Sequence, residues 1–115
     1  MLSVYQMRRD AVAARITSDP ANFNMHVWAK ETPCGTQACI AGHAALLAAE
    51  NGELSYDVAY PEEVVLTSGG WRWITQWALG WLGLPRGSEL FSFAAGHQAP
   101  EEAALALKSA PYREE

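Results

Sequence analysis

Positive charge is scarce in this 115-residue chain: eight Lys and Arg stand against thirteen Asp and Glu, a net charge of -5. A surface that grips a nucleic-acid duplex must neutralise phosphates, so nucleic acid is not an expected partner. Cysteine is nearly missing, and two residues are too few for a disulfide scaffold. No apolar run reaches the length of a bilayer span: the eighteen uncharged residues 32–49 are interrupted by Pro33, Gly35, Thr36, Gln37 and His43, and the tryptophan-rich run 73–85 is shorter. No membrane partner is expected. Arg8 and Arg9 arrive before any sustained apolar stretch, so no secretory leader is read and a cytoplasmic protein is the expectation. A phosphate loop, a dinucleotide fingerprint and a His-Glu-x-x-His motif are all lacking. Their absence weighs against nucleotide hydrolysis, nicotinamide chemistry and zinc proteolysis.

What the chain does have is hydrophobic residues, 50% of the total, with only 18% charged. A chain of this length buries roughly two-thirds of its unfolded surface, so residues 1–115 read as one globular domain that needs no metal or disulfide to hold a core. Helix formers over 3–17 predict a first helix, with Tyr5, Val12 and Ile16 on one stripe and Arg8 and Arg9 at its edges. Asp19-Pro20 suits the start of a short helical turn, and Phe23, Met25 and Trp28 read as core anchors. The clearest helix spans 37–50, with Thr36 as cap and Asn51-Gly52 as stop. Ala41, Gly42, Ala44, Ala45, Ala48 and Ala49 make it small-sided, which predicts a central helix, and Gly42 predicts close approach by another element. Residues 54–60 alternate with period two, followed by Pro61-Glu62-Glu63, which either turns a hairpin or opens a short helix. Ser68-Gly69-Gly70 reads as a flexible joint. Helical spacing of Trp71, Trp73, Trp77 and Trp81 predicts a helix over 70–84, a further helix starts at Gly87-Ser88, and a last one opens at Pro100 and closes at Ala110-Pro111. The expected fold is mainly α: a compact bundle of about five helices with a small β-hairpin as an option at 54–67.

Chemistry concentrates between Cys34 and Ala44. A helix capped by Thr36 puts Cys39 in its first turn, where unpaired amides favour a thiolate, and puts His43 one turn along the same face. Three readings follow. Cys34, Cys39 and His43, with His26 or His97 as fourth ligand, would make a two-thiolate, two-imidazole zinc site. Cys39 as nucleophile with His43 or His97 as base would make a thiol enzyme. In the third, favoured reading Cys34 and Cys39 are small core residues, with a reversible disulfide between them as an option, His43 is a hydrogen-bonded or half-exposed side chain, and no cofactor is needed. The tryptophans read as core, although exposure of Trp71 or Trp81 would point instead to stacking on a base or sugar.

Between Glu31 and Arg72 there is no Lys or Arg, while Glu50, Glu53, Asp57, Glu62 and Glu63 all occur. That local acidic excess is either a solvated arm or a docking surface for a basic partner protein. The blocks Phe23-x-Met25-x-x-Trp28, Cys34-Gly-Thr-x-x-Cys39-Ile-Ala-Gly-x-Ala and Trp81-Leu-Gly-Leu, followed by Leu90-Phe91, resemble a group of small uncharacterised proteins of bacteria and their phages. The resemblance implies a compact, mainly helical protein in a phage or mobile-element setting and transfers no catalytic residue. The functional expectation is a non-enzymatic binding or regulatory module acting through protein contact, with the thiol enzyme or zinc protein as its alternative.

Overall fold

In a computed structural model, residues 3–33, 35–88, 90–91 and 99–113 are described. Ser3 caps the first helix, α1 (Val4–Ser18), its hydroxyl accepting the Gln6 N–H at 3.1 Å. The inward stripe of α1 is Arg9, Val12, Ala13 and Ile16, the spacing of one helical face. A 3-10 turn (Pro20–Asn22) follows, and the chain then forms a hairpin of β1 (Ala29–Thr32) and β2 (Gly35–Ala38). α2 (Ile40–Glu50) leads into a three-stranded antiparallel sheet of β3 (Leu54–Ser55), β4 (Glu63–Leu66) and β5 (Trp71–Trp73), in that order. α3 (Ile74–Trp81) continues directly from β5, and α4 (Pro100–Ser109) closes the described chain with Pro100 at its start and Glu101 and Glu102 in its first turn.

The fold is therefore α+β, with four α-helices and five strands among the described residues, and not the mainly α, all-helical bundle of about five helices expected from the sequence. Three local competitions account for the difference. Residues 29–38 pair across Ala29↔Ala38 and Thr32↔Gly35, although only the two alanines at the base of the hairpin are buried. A hairpin this polar carries almost no period-two hydrophobic signal. Thr36 consequently lies in β2, and α2 begins later, with Cys39 as its own cap. The 54–67 hairpin is present as β3–β4, with Leu54 opposite Leu66.

The third difference is at 67–73. Ser68-Gly69-Gly70 is a tight connection rather than a joint: Gly69 (φ 102°) and Gly70 (φ 81°) take left-handed conformations, the Leu66 N–H donates to the Gly70 carbonyl and the Leu66 carbonyl accepts the Gly69 N–H, both at 3.0 Å. That turn draws Trp71–Trp73 onto β4, so the expected helix over 70–84 starts at Ile74. The helix expected from Gly87 onward has a turn at Leu90 and Phe91, and 92–98, including His97, lie outside the described residues.

α2 runs through the centre, with Ile40, Ala41, Gly42, His43, Ala44, Ala45 and Ala48 buried. The close approach expected at Gly42 is that of the Trp28 carbonyl: a Cβ on residue 42 would lie 1.7 Å from that oxygen. α1 packs against α2 and α4, while α3 packs on α2. Arg9 ties these helices together. Its side chain is fully buried, and its guanidinium donates to the carbonyls of Leu82 (2.8 Å) and Gly83 (3.0 Å) after α3, and of Ala110 (2.5 Å) and Pro111 (3.1 Å) after α4. Unpaired carbonyls at a helix C-terminus carry partial negative charge, so one cation serves two helix ends. The Tyr112 ring lies 4.1 Å from the guanidinium carbon.

Candidate functional site

Cys39 sits at the N-cap of α2, where its sulfur accepts the Gly42 N–H at 3.4 Å and its thiol faces the Trp28 carbonyl at 3.8 Å. It is 1% exposed. Amide hydrogen bonds do favour a thiolate here, yet desolvation outweighs them and pushes the thiol up to about 11. The thiol is thereby held protonated at neutral pH, the reverse of an activated nucleophile. His43, one turn on, is also buried; its Nε2 lies 3.2 Å from the Asn22 carbonyl, so Nε2 carries the proton. Nδ1 is buried without a hydrogen-bond partner among the described residues, and the ring stacks on Phe23 at 6.4 Å. Burial pulls the imidazole down to about 4. Cys39 and His43 share a helix, but each side chain is bonded to a different backbone segment, Trp28 for one and Asn22 for the other.

Of the other proposed zinc ligands, Cys34 and His97 lie outside the described residues, and His26 is exposed on the turn before β1. Among the described residues, no group of three or more His, Cys, Asp or Glu gathers as a ligand set.

The acidic segment divides in two. Glu50 pairs with Arg15 at 2.7 Å, and Glu53 accepts the Trp81 Nε1–H at 3.1 Å and stands 3.8 Å from Arg8, so both serve the α1–α2–α3 packing. Asp57 and Glu62 lie in the connection between β3 and β4, and Glu63 opens β4. Asp57 accepts the Ala59 N–H at 2.9 Å, Glu62 is exposed, and Glu63 is paired across the sheet with Trp73.

That pairing leads to the surface that helical reasoning missed. In β5 successive side chains alternate between faces. Arg72 lies opposite Val64, which is fully buried, while Trp71 lies opposite Val65 and Trp73 opposite Glu63 on the other face. Val65 is 51% exposed, Trp71 49% and Trp73 46%. The two indoles meet edge to face at 4.9 Å. The result is an apolar ledge on the open side of a sheet, with carboxylates at one end. A Trp-x-Trp directly after paired glycines, read at period two, was the available signal.

The chain matches no protein-family model, no curated protein and no solved structure. No helix among the described residues is long and apolar enough to cross a membrane.

Proposed function

We propose that this protein is a non-enzymatic binding or regulatory module that acts through protein contact, and that its docking face is the open side of the β3–β4–β5 sheet. The observation carrying this reading is the exposure of Val65, Trp71 and Trp73 as cross-strand neighbours. Tryptophan is the residue type most often responsible for the energy of a protein interface, and contiguous exposed apolar patches mark interaction sites. The partner is a basic segment. Glu62 and Glu63 lie at one end of the ledge, and the sequence from 32 to 71 contributes no cation to it. A Lys or Arg side chain laid over the indoles gains about 0.5–1 kcal/mol each while exposed and about 2 kcal/mol when desolvated. The same carboxylates would face each other if a second copy docked symmetrically, which disfavours self-association. The motif similarity to small bacterial and phage proteins extends the proposal to a phage or mobile-element setting.

Fluorescence anisotropy with a labelled peptide alternating Arg and Leu tests this, with its Glu-for-Arg counterpart as control. Saturable binding of the basic peptide alone is expected, weakened about tenfold in a Trp71→Ala/Trp73→Ala variant and in a Glu62→Gln/Glu63→Gln variant of unchanged Tm. Binding by both variants as tight as the parent's, equal binding of the acidic peptide, or a concentration-dependent dimer abolished by the tryptophan replacements would overturn it.

A further inference from the structure

On the opposite face of the same sheet lies a cleft of about 550 Å³, within the roughly 300–1,000 Å³ of small-molecule sites. Its walls are built from four elements: α1 contributes Tyr5 and Arg8, β4 contributes Leu66, β5 contributes Arg72, and α3 contributes Gln76, Trp77 and Trp81. The two indoles sit one helical turn apart with centroids 5.3 Å from each other and planes at 24°. The rings are stacked on each other, so each indole covers one face of its neighbour. Arg8 is held over Trp81, its guanidinium carbon 4.8 Å from the ring and Nη1 donating to the Trp81 carbonyl at 3.0 Å. Arg72 bonds only the carbonyl of Trp71, through Nη1 at 2.8 Å, which leaves Nε and Nη2 without a partner among the described residues.

Charge is distributed against the molecule's average here. Of eight Lys and Arg in a chain of net charge -5, Arg8 and Arg72 line the cleft. Arg113 comes within 4.0 Å of the Cβ position of Gly80 on the cleft wall, and Arg9 is buried behind it at Leu82 and Gly83. Arg9 and Arg113 are bonded to carbonyls, and among the described residues Glu53 is the one acid that forms an ion pair with any of the four. Four guanidinium groups against one carboxylate leave an excess of positive charge around a concave, partly apolar wall, which favours an anion there. Guanidinium donors suit phosphate or carboxylate oxygens, and indoles suit a planar ring.

We propose that this cleft binds a planar aromatic molecule carrying a phosphate or carboxylate group, with its ring on the Trp77 end of the stacked pair and its anion on Arg72, Arg8 being held over Trp81. Such a ligand occupies the face away from the Trp71–Trp73 ledge, so the cleft and the protein-docking surface are separate sites.

Isothermal titration of the full chain with adenosine 5′-monophosphate and with 2-naphthoate tests the proposal, alongside adenosine and inorganic phosphate. Saturable binding of at least one aromatic anion is expected, about tenfold or more tighter than that of adenosine or phosphate alone. Preference for the nucleotide assigns the anion as phosphate, and preference for naphthoate assigns it as carboxylate. Arg72→Gln, at an exposed position, should weaken binding about tenfold at unchanged Tm, with partial recovery in Arg72→Lys. The proposal is overturned if neither aromatic anion saturates, if adenosine binds as well as its monophosphate and naphthoate does not bind, or if Arg72→Gln leaves the affinity unaltered.

Discussion

Gly42→Ala separates helix propensity from tertiary packing by the sign of its effect. In an isolated helix the replacement is worth about 1 kcal/mol of stabilisation, because alanine loses less backbone entropy than glycine. In the folded protein the new Cβ would lie 1.7 Å from the Trp28 oxygen and 2.8 Å from both the Trp28 carbonyl carbon and the Ala38 Cβ. These are backbone and short-side-chain atoms, so no rotamer change relieves the overlap, and α2 must move off the hairpin. Overpacking of this kind costs about 1–3 kcal/mol and sometimes more. The displacement also strains the hydrogen bonds that seat the helix start, from the Cys39 N–H to the Val27 carbonyl at 3.1 Å and from the Gly42 N–H to the Cys39 sulfur at 3.4 Å. Losing such a cap costs about 0.5–2 kcal/mol. Offset against the propensity gain, the net destabilisation is about 0.5–4 kcal/mol, centred near 2, a fall in Tm on the order of 10 °C. Urea unfolding followed by far-UV circular dichroism measures it, with an unchanged m-value as the check that only stability has moved. A variant as stable as the parent, or more so, would refute the packing account of α2.

Three further outcomes follow from buried groups. Arg9→Met should cost about 3–5 kcal/mol in urea unfolding, because the carbonyls of Leu82, Gly83, Ala110 and Pro111 lose their shared donor; a loss under about 1 kcal/mol would show that water replaces the guanidinium. His43 is held at about 4 against 6.5 in the unfolded chain, so the unfolded state takes up the extra proton and stability falls as pH drops from about 6.5 to 4. The full effect is about 3 kcal/mol, and a His43→Gln variant whose stability falls just as steeply across that range would contradict it. In a Cys34→Ser background, Cys39 should react with Ellman's reagent at pH 8 only as fast as the protein opens and rapidly in denaturant, and prompt labelling of the folded chain would show that burial does not hold the thiol protonated.

α1, α4 and the central α2 were legible because each has a signal that needs no partner: helix formers and a 3.6-residue stripe in the first, proline followed by two acids in the second, and small residues with a stopping Asn51-Gly52 in the third. Gly42 was legible as a contact point for the same reason, since a glycine inside a helix must be offset by something close to it. The β1–β2 hairpin was not. Its residues are polar, one end alone faces the core, and the pairing holds together through backbone bonds that every residue type can make. Cys39 was placed at the right end of the right helix, but its protonation depends on how completely other elements cover it.

The sequence by itself determined the bodies of α1, α2 and α4, where α2 stops and which residues line its buried flank, because capping, periodicity and side-chain size act within a few residues along the chain. Only the tertiary structure decided that Trp71 and Trp73 lie on a strand, that Arg9 is interior and that the sulfur and imidazole of Cys39 and His43 serve separate backbone partners. Strand pairing, desolvation and the capture of helix-end carbonyls depend on groups tens of residues away, and a local pattern carries no record of how far those groups approach.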